Sequence, residues 1–445
     1  MTPPIDEVAL RDEATALMRE LLRVDTSNPP GRETPAALVL KRYLEAAGVE
    51  CELVARDPGR ANLIARIPGG DGPSLAFLAH TDVVPADDAP EWTHPPFAGD
   101  VDDDGYIWGR GAADMKNELA TRAVAMAWLA RSGFRPAGDL LLIAESDEED
   151  GEAGVGLAWL VTERPDIRAD YVLNEGAAER LELADGRVAV TINAGEKSAL
   201  SVTVTALAEG GASSLPRSEA NAVTRLARLI GRLDRHLPDR RLIPQTDAML
   251  TALAGADGGL DERIARAVAL HPMLPELVQP LFVMTVAPTR LRGSRALNTM
   301  PSAASVECDC RPVPGMTLDQ VARELRAALG DDLPYELAFS GEPVGGSISP
   351  LETPLYEICR AWVARNDPEA VLVPTLTNGF TDSHYMRMAF GSIAYGFWPI
   401  RRTPTAVLHA GVHTRDERIH TDDLGYATRF HIEAAMALRR GGGEA

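Results

Sequence analysis

The sequence predicts an α/β protein interrupted by a smaller α+β segment, and three features carry that expectation. Short apolar runs of strand length alternate with amphipathic helical stretches over the first third of the chain. Near Glu196 the texture changes to a strand that alternates apolar and polar residues. After Pro350 the α/β texture returns.

In chain order, Val8, Leu10, Ala14, Leu17, Met18, Leu21 and Leu22 recur at helical spacing. The helix they predict stops before Ser27-Asn28-Pro29-Pro30-Gly31, a cluster of chain breakers. A second helix is expected over 35–47, ended by Gly48, then strands over 62–67, 74–78 and 139–143. A long helical pattern over 118–132 separates the last two strands. In the changed region, Leu200, Val202 and Val204 mark a half-exposed strand over 198–206, read as a sheet edge. Helices are expected over 220–233, 261–270 and 318–329, and strands over 281–286 and 305–311. The closing α/β stretch has helices near 353–365 and 424–439, and 441–443 reads as a frayed glycine tail. There is no internal repeat.

The chain has 445 residues, more than one ordinary core accommodates, which suits two or three domains. Hydrophobic residues at 45% and charged residues at 24% read as a soluble globular protein. A formal charge of -21 would be repelled by phosphate backbones and anionic membranes, so neither is an expected partner. Cys51, Cys308, Cys310 and Cys359 are too scattered for a disulfide framework and are expected as reduced thiols. The first residues carry charges throughout and no signal-type apolar core, and no stretch approaches the ~20 apolar residues of a membrane span. The expected setting is the cytoplasm.

Several short segments carry chemistry. His80 and Asp82, in Ala79-His80-Thr81-Asp82-Val83-Val84-Pro85, follow an apolar run and would point to the same side of a strand end. An imidazole that binds a metal needs an acceptor on its other nitrogen, which Asp82 could supply; an ordinary strand end and turn is the other reading. Asp114, in Gly109-Arg110-Gly111-Ala112-Ala113-Asp114-Met115-Lys116, is a metal ligand behind a tight glycine turn or a helix N-cap. Glu145-Ser146-Asp147-Glu148-Glu149-Asp150 holds five acids in six positions. A solvated loop is the common use of such a run, yet this one ends a strand, where α/β sheets build their sites. Adjacent Glu148 and Glu149 could divide proton transfer and metal binding. Glu175 follows another apolar run, and the segment from His409 to His420 adds an imidazole from the far end of the chain.

Two histidines with three carboxylates make a mixed N/O donor set suited to zinc rather than calcium or magnesium. The boxes H-x-D-V-V-P, G-R-G-x-x-D-M-K and D-E-E, in this order, resemble the M20 metallopeptidases and deacylases. That group includes acetylornithine deacetylase, succinyl-diaminopimelate desuccinylase, glutamate carboxypeptidase and aminoacylase-1. The resemblance runs from Thr26 to Ile419. It implies a zinc-exopeptidase-like catalytic domain, a mixed sheet flanked by helices, formed by 1–196 and 339–445. It implies an inserted α+β lid and dimerisation domain over 197–338. It implies two Zn2+ per chain, with Co2+ or Mn2+ as substitutes. Asp114 would bridge them, His80 and Glu175 would complete one shell, and Glu149 and His413 the other.

The resemblance also implies Glu148 as general base, Asp82 as support for His80, and Asn298 and Arg311 as substrate-binding residues. His413 is preferred to His409 because it lies four residues before Glu417, as the family's histidine does. The implied reaction is hydrolysis of an amide bond in a small peptide or N-acyl amino acid, with Arg311 clamping a free carboxylate. Two segments depart from the family pattern. Asn378-Gly379-Phe380-Thr381-Asp382 replaces the commoner Gly-Gly-Thr-Asp. Ala212, in Gly210-Gly211-Ala212-Ser213-Ser214-Leu215-Pro216, stands where the family has a histidine that reaches the partner subunit's active site. The alternative this raises is a metal-binding chain with weak or lost turnover that serves as a ligand binder.

Overall fold

A computed structural model describes residues 4–87, 89–176 and 179–439, so the 441–443 glycines lie outside the described residues. The chain forms two compact units: Met1–Ala194 with Ser349–Thr375 and Thr381–Ala445, and Gly195–Ile348 with Leu376–Phe380.

The first unit is built on a nine-stranded mixed sheet. At its centre Leu140–Glu145, Leu75–His80, Tyr171–Asn174 and Ile393–Gly396 run parallel, so their C-terminal ends open at one edge. Parallel strands covered on both faces bury every side chain, which is why they read as continuous apolar runs. The strand Leu75–His80 shows the arrangement: Leu75, Phe77 and Ala79 join one core cluster, and Ala76 and Leu78 another. Helices Glu7–Leu22, Lys116–Arg131 and Thr421–Arg439 supply the larger cluster, and Leu157–Glu163 and Ser383–Phe390 the smaller. Asp6 caps the first helix by accepting from the amides of Val8 and Ala9.

One core residue gives the fold a pH dependence. His431 is fully buried, edge-on to the rings of Phe77 and Phe430 at 5.2 Å from each. Neither ring nitrogen has a hydrogen-bond partner among the described residues. Burial, with Arg122 nearby, holds its pKa well below the usual histidine value. The folded state therefore keeps the ring neutral, while the unfolded chain takes up a proton below about pH 6.5. Stability is fully present above that pH and falls on acidification. We expect His431→Leu to lose less stability than the parent between pH 7 and pH 5, by about 2 kcal/mol, in urea unfolding at the two pH values. Metal-site groups titrate alike in both proteins, so the difference reports His431; equal losses would show the ring is not neutral in the fold.

The second unit centres on an antiparallel sheet in the order Thr285–Arg292, Ala303–Arg311, Ser198–Leu207, Tyr335–Phe339, with Val344–Gly345 pairing the start of Ser198–Leu207. Helix Ala222–Arg235 packs with Val204, Ala206 and Val306. Helix Leu318–Leu329 adds Val321 and Leu325 to the neighbouring cluster and carries a capping box between Thr317 and Gln320. Two expectations are corrected here. The strand Ser198–Leu207 is interior, paired on both sides, and is not an edge; the outer strands are Thr285–Arg292 and Tyr335–Phe339. The strand expected over 281–286 begins only at Thr285, because Leu281 and Phe282 are buried within the short 3-10 turn Gln279–Phe282. An apolar run alone does not separate those two outcomes. The second unit runs to Ile348, where Val344 pairs with Ala199 and Glu196 receives the amide and hydroxyl of Ser347.

Candidate metal centre

The C-terminal ends of the parallel strands gather the chemistry-bearing side chains of the first unit, as open α/β sheets do. His80 is the last residue of its strand, Glu145 the last of the neighbouring strand, and Glu175 follows Tyr171–Asn174 directly. Asp114 lies just before helix Lys116–Arg131 but does not cap it; its two oxygens face two imidazoles instead. Asp114 Oδ1 is 3.1 Å from His80 Nε2, and Oδ2 is 3.2 Å from His413 Nε2. Glu175 Oε2 lies 3.7 Å from His80 Nε2, and Glu149 Oε2 lies 3.1 Å from His413 Nε2. These residues make two groups of converging ligand atoms, His80–Asp114–Glu175 and Asp114–Glu149–His413, with Asp114 in both.

The donor chemistry fits cations. Glu149 Oε1 and Glu175 Oε1 are buried with no hydrogen-bond partner among the described residues, which is costly for a carboxylate unless a cation is supplied. Both imidazoles are drawn toward the charged form. Asp114 and Glu149 push His413 up to about 10. Burial works against a charge on His80, yet Asp114, Asp82 and Glu175 together hold it well above the usual histidine value. A metal ion satisfies the same field with neutral imidazoles.

The structure brings His80 and Asp82 together, mainly through the Asp82 backbone. His80 Nδ1 sits 3.0 Å from the backbone oxygen of Asp82 and 3.6 Å from its carboxylate. The carboxylate is occupied elsewhere: it accepts from Asn28 Nδ2 at 2.9 Å and from the amides of Glu148 and Glu149 at 3.3 and 3.1 Å. Burial would raise its pKa, but His80 and these donors hold it low. Asp82 thus fixes the ring on one side and the Glu148–Glu149 backbone on the other. Glu148 belongs to neither ligand group. Burial first, then the charge of Glu175, lifts its carboxyl well above the ordinary range.

The acidic run is not a solvated loop. Glu145 and Asp147 are buried, and Asp147 bonds Asn28, Arg60 and the Val155 amide. Asp147 and His413 both have positive φ, +69° and +58°, a region that costs a non-glycine residue ~1–3 kcal/mol and collects at functional sites. His409 is placed apart from the two groups, against Glu179 at 3.2 Å. Asn298, Arg311 and Ala212 belong to the second unit. Arg311 Nε is held by both oxygens of Asp309, at 3.0 and 3.1 Å. Ala212 is exposed on a two-residue strand opposite Thr299.

A model described as peptidase family M20/M25/M40 matches residues 76–437. The chain belongs to this family. Among curated relatives, the M20 chain is 34% identical to a succinyl-diaminopimelate desuccinylase of Cereibacter sphaeroides over 55% of its own length and 63% of the relative's. It is 27% identical to mouse aminoacylase-1 over 92% of its length and 91% of that protein's. Its fold is similar to that of an M20-family metallo-carboxypeptidase from Sulfolobus solfataricus, with TM-score 0.71, 20% identity, and 96% and 100% of the two chains covered. It is also similar to that of a dinuclear metal-binding peptidase of the same family from Bacillus subtilis, with TM-score 0.61, 14% identity, and 97% and 99% covered.

In this M20 chain the most important residue missed from the sequence is Glu417. Its carboxylate is fully buried and gathers the amides of Gly111, Ala113 and Asp114 at 3.1, 2.6 and 3.0 Å, with Arg110 Nη1 at 2.8 Å. It thereby locks the loop that presents Asp114. Burial raises its pKa to about 7 against the pull of these donors. Gly111 shows why the loop needs glycine: its φ is +88°, and a Cβ there would fall 2.8 Å from Val83 Cγ1. The signal was present in Glu417-Arg418-Ile419, but a lone acid in a C-terminal segment does not reveal which amides it reaches.

Proposed function

We propose that this M20 chain is a two-zinc hydrolase that cleaves an amide bond in a small peptide or an N-acyl amino acid bearing a free carboxylate. The observation that carries the reading is the pair of ligand groups sharing Asp114, with Glu148 beside them and in neither. Ions held there would lower the pKa of water and polarise the scissile carbonyl. Within the chain, Glu148 takes the proton of the attacking water and returns it to the leaving amine. His80, its Nδ1 side fixed by Asp82, keeps Nε2 directed at the centre. Asn298 and Arg311 are the proposed substrate-binding residues, with Arg311 the clamp for the free carboxylate. The names of the relatives, a desuccinylase and an aminoacylase, support an acylated amino acid; that of the carboxypeptidase supports a peptide.

The test is reconstitution followed by turnover. Metal analysis after zinc loading is expected to find two equivalents per chain, and a panel of dipeptides and N-acetyl amino acids to yield at least one that releases free amine. Failure to retain zinc, cobalt or manganese would remove the proposal. A second reading, a ligand binder with weak turnover, is favoured by one observation, the exposed alanine at position 212. Tight binding of panel compounds without amine release would select it.

A homodimer through the second unit is part of this proposal, with Thr285–Arg292 as the pairing strand because it lies at the sheet edge and exposes six residues. Light scattering at micromolar concentration should give twice the chain mass of 47.7 kDa, and a monomer would discard it. A cytoplasmic setting also belongs to the proposal, supported by four free cysteines, three of them buried. No described helix is long and apolar enough to cross a membrane.

A further inference from the structure

The strands Leu75–His80 and Tyr171–Asn174 are paired through Leu75↔Tyr171, Ala76↔Val172 and Phe77↔Leu173, where the ladder ends. His80 and Glu175 both lie beyond that last rung. At the point of parting sits Arg122, a fully buried residue of helix Lys116–Arg131. Its Nη1 donates to the Leu78 carbonyl at 2.5 Å, and its Nη2 donates to the Asn174 carbonyl at 2.8 Å. Glu118, one helical turn earlier, accepts from Nη2 at 2.5 Å. The guanidinium thus bridges the first residue past the ladder in each strand and satisfies both of these buried carbonyls. The Asn174 side chain is tied as well, donating to the hydroxyls of Thr381 and Ser383 at 2.9 and 3.1 Å.

We propose that Arg122, anchored by Glu118, is the positioning residue for the His80–Glu175 half of the metal centre. It holds the two strands apart at the height where both ligands leave the sheet. This rests on the two-ion reading above. Arginine suits the task because one planar fork reaches two carbonyls and a carboxylate together, whereas a lysine ammonium is a compact point donor. A role confined to packing would affect stability and leave the two halves of the centre alike.

The experiment measures Zn2+ affinity by chelator competition in two single-ion backgrounds. His413→Ala leaves the His80–Asp114–Glu175 group, and His80→Ala leaves the Asp114–Glu149–His413 group. Into each go Arg122→Lys and the charge-neutral pair Glu118→Gln with Arg122→Met. In the His413→Ala background both changes should weaken zinc binding about 10–100-fold, the usual cost of losing a group that orients a ligand. In the His80→Ala background the change should stay within about twofold. Equal losses in the two backgrounds, or none in either, overturn the proposal. If the double variant does not fold, Arg122→Lys, which keeps the charge and most of the volume, decides alone. A parent protein that binds fewer than two equivalents overturns the two-ion reading and this inference with it. A parent that binds two, with unaffected Arg122 variants, overturns only this inference.

Discussion

Glu148→Gln is expected to lower kcat by about 10²–10⁴ while both zinc equivalents remain bound. The magnitude is that of removing a general base, and the specificity comes from geometry. Glu148 and Glu149 are consecutive, and their amides are held by the two oxygens of one carboxylate, Asp82. That anchor fixes the backbone, and the two side chains leave it into different surroundings: Glu149 meets His413 at 3.1 Å, and Glu148 stays outside both ligand groups. Burial first, then the charge of Glu175, hold the Glu148 carboxyl above the ordinary range, and cations held by the two groups would draw it back toward the carboxylate form that a base needs. Glutamine keeps the shape and removes that capacity. Glu149→Gln should instead lose one equivalent of zinc. Metal analysis and kcat on the same preparations separate the two variants, and the reverse pattern would show that the two roles were exchanged.

Ala212→His is expected to raise kcat at least tenfold on a good substrate, with metal content unchanged. The resemblance implies that a histidine at this position would donate a hydrogen bond to the developing oxyanion, and one such donor is worth about 10²–10³ in turnover. The local backbone can carry the larger side chain. Ala212 is exposed on the strand Gly211–Ala212, which pairs with Thr299–Met300, and it lines an open groove with Leu215, Pro216 and Arg217. Strain from the turn falls on Gly210 and Gly211, with φ of +78° and +146°, and not on Ala212 itself. No effect of Ala212→His in a parent that already turns over briskly would place the oxyanion donor elsewhere. A rise in turnover would instead show that the parent lacks a donor that its fold can accommodate.

How much of this was legible follows the range of the interactions involved. Helices Glu7–Leu22 and Leu318–Leu329 could be read within a residue or two, because their signals, apolar spacing and caps, are local. The positions of the candidate ligands were legible for a related reason. His80, Asp114, Glu149 and Glu175 sit at or just beyond the ends of strands or before a helix, so element pattern and residue type point to the same places. The unforeseen features depend on partners far along the chain. The strand Ser198–Leu207 alternates as an edge strand would, yet pairing with Ala303–Arg311 on one side and Tyr335–Phe339 on the other makes it interior. The strand Val188–Glu196 is buried at every position, which erases the alternation that would have announced it. Glu417 acts on Gly111, Ala113 and Asp114 across some three hundred residues of chain, and Asn28 links Asp82 with Asp147. Residue type and spacing made the ligand side chains candidates, and the resemblance assigned them to the two proposed ions. Their orientation is set by buried polar bonds that exist only after distant segments pack, since a buried hydrogen bond takes its partner from whatever the fold brings within about 3 Å.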